Sequence, residues 1–223
     1  MADSSDAFMG RLSGRIGNLV VYQMYGKTVV RVRPGFRTKK TTPKLKASQN
    51  DFKTVVKVLS PLKHLLRFGF AAQAINRSPW NAAASANLNR YRQSENKDIH
   101  EWLQLSAGTL AQATDWQAVK DDKGNIQLSW ENDTATNGHG NDKLIVFCVA
   151  DTSYGGMPFM EITTANRMDK QASLVLQNPY YNIETNIYTA FISADYNSTR
   201  KPHGISDSVW VGRIDAQDVN QML

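Results

Sequence analysis

Apolar residues first gather in residues 18–24 and again in residues 28–33, two runs rich in valine separated by Tyr25-Gly26-Lys27. A glycine between two short β-prone runs predicts a β-hairpin. Successive side chains of a strand point to opposite faces, so Arg31 and Arg33 share one face and Val30 and Val32 the other. The hairpin thus has a basic side and an apolar side. The segment before it, residues 10–18, is punctuated by Gly10, Gly14 and Gly17 and is expected to be irregular. It lacks the Gly-Lys-Ser/Thr ending and the following helix of a phosphate loop.

Further on, Phe52, Val55, Val56, Leu59, Leu62 and Leu66 recur at helical spacing and predict an amphipathic segment with its stripe in a core. Pro61 has no amide hydrogen for the helix ladder and is expected to kink or split it. Two starts are open: Thr42 as cap with Pro43 at the first position, or Ser48 in a weak capping box with Asp51. A further helix is predicted from Pro79 to about Arg92, with Ser78 as its cap.

From about Ile99 the pattern changes to short strands, opening on Trp102, Leu103 and Leu105. Ile126, Leu128 and Trp130 alternate with Gln127 and Ser129, as a half-buried strand does. Residues 144–149, 158–163, 173–176, 187–192 and 209–214 supply more strands. About six or seven strands in roughly ninety residues is the cadence of an antiparallel sandwich, and Trp130 with Tyr188 to Phe191 suits its core. The predicted fold is α+β and β-rich. A basic hairpin-and-helix module spans residues 1–98, and a sandwich of fibronectin type III or immunoglobulin kind spans residues 99–223.

Charge sharpens this division. The 223 residues carry 26 Lys and Arg against 20 Asp and Glu. Residues 7–93 hold 17 of those bases and one acid, Asp51, a net of +16, whereas residues 94–223 hold 9 bases and 17 acids, a net of −8. A segment so one-sided repels itself unless something anionic lies nearby. Residues 35–46 carry Arg37, Lys39, Lys40, Lys44 and Lys46 with no acid, and are expected to form a mobile or partner-ordered arm. With Arg31 and Arg33, these five are the candidate contacts to an anionic partner. That partner is nucleic acid, an acidic protein, or the acidic half of a neighbouring copy. Tyr22, Tyr25 and Phe36 interleave with the bases as stacking on nucleobases requires, although packing within the hairpin is the simpler role for Tyr22.

Candidate chemistry is sparse. Cys148 is the single cysteine and sits in an apolar run, so it reads as a buried, inert thiol, and no intrachain disulfide can form. His64, His100, His139 and His203 are scattered, without metal-ligand spacing. There is no Gly-x-Ser-x-Gly elbow. Catalytic, cofactor and metal residues are therefore not expected. No apolar run reaches the roughly 18 residues of a membrane span, and the first residues carry no secretory signature. The expectation is a cytoplasmic or particle-associated protein without a membrane anchor.

These residues resemble a family of unknown function widespread in Bacteroidota. Its opening Gly-x-x-Gly-Asn-x-Val element falls on Gly14, Gly17, Asn18 and Val20, and its hairpin motif on Gly26, Val30, Arg31 and Pro34. Its helical motif falls on Leu59, Pro61, Leu62, Leu66, Arg67, Gly69 and Phe70, the next on Asn81, Ala82, Ala83, Asn87 and Leu88, and a late one on Tyr188, Ala190, Phe191 and Ser193. The resemblance implies a fibronectin-like C-terminal sandwich and a non-enzymatic role. Together the observations predict a structural or interaction protein of a homo- or hetero-oligomeric assembly, such as a virion-like or nucleoprotein particle, docked through its basic half. The alternative is a sandwich module that binds a sugar or protein through loops 131–143, 150–157 and 177–183, with Tyr154, Tyr180 and Tyr181 as contacts.

Overall fold

Three strands open the chain: β1 (Gly14–Ile16), β2 (Leu19–Met24) and β3 (Lys27–Val32), antiparallel in the order β1-β2-β3. A computed structural model describes residues 13–35, 42–121, 125–132, 139–150, 157–175, 184–196 and 204–214. The hairpin turn is Tyr25-Gly26, both at positive φ (50° and 76°), the two-residue geometry whose twist matches that of the flanking strands. Lys27 accordingly belongs to β3 and not to the turn. β1 lies in the segment expected to be irregular. Arg15 and Ile16 are too few between glycines to show an alternation, and they become a strand through Gly17, at φ +58°, which folds them back on Val20 and Leu19.

The chain divides into two compact units, residues 1–46 and 47–223. Helix α1 (Pro43–Leu59) is followed by α2 (Lys63–Gly69), α3 (Pro79–Gln93) and the short α4 (Ile99–Trp102). The Thr42 hydroxyl accepts the Leu45 amide at 3.3 Å, and Pro43 takes the first position. The arm read over residues 35–46 is therefore helical from Pro43 onward. Ser48, the alternative cap, lies inside the helix and accepts a hydrogen bond from Arg92 Nη2 at 2.7 Å. Pro61 separates α1 from α2, and the Ser78 hydroxyl caps α3 through the Asn81 amide at 3.1 Å. Val55, Leu59, Leu62 and Leu66 are buried, but Phe52 is 51% exposed. No residue of α1 before Val55 is buried, so the apolar stripe begins one turn later than its spacing suggests.

Two antiparallel sheets complete the second unit. One joins β4 (Thr114–Lys120), β5 (Ile126–Glu131) and β8 (Gln171–Leu174) in the order β4-β5-β8. The other takes β6 (Lys143–Ala150), β7 (Phe159–Asn166), β9 (Thr185–Ile192) and β10 (Val209–Ile214) in the order β10-β9-β6-β7. Every residue of β6 after Lys143 is buried. Leu144, Val146 and Cys148 pack with Ile126, Leu128, Trp130, Leu174, Ile187 and Phe191, between the two sheets. Ile145, Phe147 and Val149 pack the other way, with Val55, Leu59, Leu62, Leu66 and Tyr188, against the helices. The second unit is thus three layers, and a central strand covered on both faces reads as an unbroken apolar run.

The chain is α+β, with more strand than helix. Two differences from the sequence pattern have physical reasons. Residues 99–102 form α4 and not a strand, because Trp102 is drawn into the helical core, edge-on to Tyr91 at 5.4 Å. β4 is an edge strand with no residue fully buried, so its polar sequence carries no strong alternation. The extended segment after α4 is fixed by buried Asn87, which donates to Gln104 O at 3.0 Å and accepts the Gln104 amide at 2.7 Å.

Candidate functional site

The register of the N-terminal sheet sorts its side chains. Directly paired residues share a face, and neighbours along a strand alternate. Arg15, Val20 and Arg31 form one cross-strand row, and Tyr22, Val29, Met24 and Lys27 continue the same face. The Arg31 guanidinium lies 5.6 Å from the centre of the Tyr22 ring, a cation–π contact. Ile16, Leu19 and Val32 form a row on the opposite face, followed by Val21 and Val30, then by Gln23 and Thr28, which are hydrogen-bonded at 2.7 Å. This second face carries no charge. Ile16 is 58% and Val32 63% exposed, and Val21 is the one buried residue of the three strands.

Arg33 follows β3, its amide donating to Asn18 O at 2.9 Å, and with Asn18, Pro34 and Gly35 it lines a hollow of about 230 Å³. No acid occurs in residues 13–35, and Arg15, Lys27, Arg31 and Arg33 have no ion-pair partner among the described residues. Of the predicted contacts, Arg31 and Arg33 thus lie on this sheet. Lys44 and Lys46 are exposed on the first turn of α1. Arg37, Lys39, Lys40 and Phe36 lie outside the described residues. Arg15 and Lys27 join the surface although the sequence did not single them out. The signal for Arg15 was hidden with β1, since only pairing places it on the face of Arg31, across Val20.

Four cations of the second unit have carboxylate partners among the described residues. Arg92 meets Asp51 at 3.4 Å, Lys170 meets Glu131 at 2.5 Å and Arg213 meets Glu184 at 3.0 Å, all partly exposed. Arg167 and Asp142 are a buried pair at 3.3 Å. Arg167 also donates to Ala111 O at 2.7 Å and lies 4.0 Å from the centre of the Phe191 ring. Burial holds its guanidinium below the ordinary arginine value, with Asp142 opposing that shift. Cys148 is buried as expected, and loss of solvation pushes its thiol well above the usual range, which removes it as a nucleophile.

Ligand atoms of Asp98, His100 and Glu101 lie within 4.8 Å of one another. The Glu101 carboxylate, however, accepts from the Ser94 hydroxyl and from Asn96 Nδ2 at 2.9 Å, and these bonds hold its pKa below the usual range. Its role is to close the turn between α3 and α4. Loop residues Tyr154, Tyr180 and Tyr181 lie outside the described residues. Among the described residues no helix is long and apolar enough to cross a membrane.

The model of a family of unknown function, DUF6266, matches residues 11–212. No curated protein matches the chain.

Proposed function

The chain belongs to this family of unknown function, and on that premise we propose that it is a non-enzymatic interaction protein that docks through its N-terminal sheet on an anionic partner within a larger assembly. The observation that carries this reading is the one-sided basic face. Arg15, Lys27 and Arg31, with Arg33 beside them, stand exposed, without an ion-pair partner among the described residues, in a segment without a single acid. Exposed cations that no described residue neutralises are suited to an external polyanion.

The partner we favour is nucleic acid, in a nucleoprotein or virion-like particle. Tyr22 under Arg31 and the 47%-exposed Tyr25 at the turn tip supply ring faces beside the cations, the combination that holds unpaired bases. We further read residues 114–214 as a fibronectin type III-like sandwich. In chain order the seven described strands pair first-second-fifth in one sheet and seventh-sixth-third-fourth in the other, and Trp130 on the second strand lies fully buried between them, which supports that reading.

The test uses the full chain and the triple variant Arg15→Ala, Arg31→Ala, Arg33→Ala, each titrated with labelled single-stranded and duplex DNA and RNA. The expected result is at least a tenfold loss of affinity in the variant with an unchanged melting temperature. Equal affinity of both proteins would overturn the assignment. Binding by an acidic polypeptide and by no nucleic acid would identify an acidic protein as the partner instead.

A further inference from the structure

The helical layer leaves one end of the four-stranded sheet open. Val149 pairs with Asn186, and Asn186 with Arg213, so the three lie in one row. Trp210 on β10 pairs with Tyr188 and faces the same side. α1 and the segment around Pro61 cover part of this end and enclose a cleft of about 540 Å³, with Val58, Leu62 and Val149 among its apolar walls and Lys57 at its side. A hollow of about 410 Å³ adjoins it, lined by Asp98, His100, Trp210 and Arg213, and the two share Ile99, Glu184 and Asn186. All of these residues belong to the second compact unit.

Trp210 is the informative residue. Its partner Tyr188 is fully buried, yet Trp210 remains 37% exposed. It is nevertheless held in place. Its Nε1 donates to Asn186 Oδ1 at 3.1 Å, and the His100 ring stacks on it with centres 4.7 Å apart. A fixed, part-exposed indole at the wall of a hollow is a preorganised platform for an apolar ring face. The groups around it are strongly polar but balanced in charge: Lys57 and Arg213 against Asp98 and Glu184. A phosphate or carboxylate would meet two carboxylates there, and a cation two cations. A neutral ligand with many hydroxyls satisfies both kinds, because a hydroxyl donates to a carboxylate and accepts from a guanidinium or ammonium. The Asp98 carboxylate and the Lys57 ammonium have no hydrogen-bond partner among the described residues and are available to it.

We propose that this cleft is a binding site for a neutral saccharide, with one sugar ring against Trp210, its hydroxyls on Asp98, Asn186 and Arg213, and an apolar substituent against Val58, Leu62 and Val149. The site is independent of the basic sheet, and it adds a recognition function to the docking role.

Ligand-observed NMR on the full chain tests it, with maltose, cellobiose, diacetylchitobiose and octyl glucoside as probes and inorganic phosphate as the anionic comparison. The expected result is saturable binding of at least one glycoside in the millimolar range or tighter, no competition by phosphate, and a tenfold or greater loss in Trp210→Ala. Asp98→Asn, an exposed change outside the core, serves as the second variant and is expected to weaken binding several-fold without lowering the melting temperature. Absence of binding by all four probes, undiminished binding by both variants, or displacement by phosphate would overturn the proposal. Nucleic-acid affinity is measured on the same variants and is expected to be unchanged, so failure of the saccharide site and failure of the docking sheet are read separately.

Discussion

The N-terminal sheet and the second unit use the same kinds of residue in opposite ways. In the sheet, cations on one face have no ion-pair partner among the described residues, apolar side chains stand exposed on the other, and Val21 alone is buried. In the second unit Arg167 is buried against Asp142, and β6 is covered on both faces. Ordering a backbone costs on the order of 1–2 kcal/mol per residue, and three short strands with one buried side chain offset little of it. The second unit buries a core of its own on both faces of β6, whereas the sheet presents the surface that the proposed reading assigns to a partner. The charge boundary near residue 93 and the compact boundary at Lys46 do not coincide. Lys53, Lys57 and Arg92 lie exposed on helices whose other side is core, so their charge belongs to the basic half while their helices belong to the folded body.

The contrast is broken most severely by removing a charge from inside the second unit. Arg167→Ala strands Asp142 in the core and should lower stability by about 4 kcal/mol in urea unfolding. Next comes Gly69→Ala. An added Cβ would stand 2.1 Å from Leu105 O and 2.9 Å from Ser106 Cα, backbone atoms that cannot step aside, so a loss of about 3 kcal/mol is expected. Asn87→Ala leaves Gln104 without its partners and should lose about 2 kcal/mol. In the sheet the order of effects reverses. Arg31→Ala should change stability by less than about 0.5 kcal/mol while weakening polyanion binding measurably.

The smallest effect concerns pH. Hydrogen bonds hold Glu101 below its unfolded value, so its contribution is present above the ordinary carboxylate range and is lost as pH falls through the lowered folded value. The acid limb of the stability profile should be slightly shallower in Glu101→Gln than in the parent protein.

Legibility in the sequence followed locality. The hairpin, the break at Pro61, the Ser78 cap and most strands were written in adjacent residues, because turns, caps and alternation are short-range signals. β1 was too short to show a period, edge strand β4 was too polar, and α4 was decided by where Trp102 is buried. Arg31 and Arg33 were visible on one face of a predicted strand. Arg15, on the face of Arg31 across Val20, required pairing, and the cleft required residues from Lys57 to Arg213 to converge through the fold. No spacing in the chain announces such a site.

The central claim is that the sheet's unpaired cations exist to meet a polyanion. It is tested most directly by titrating the full chain with labelled nucleic acid across a salt series. Four phosphate contacts predict a fall of log affinity with log salt of slope about −3 to −4. No binding even at low salt, or binding indifferent to salt, would contradict it.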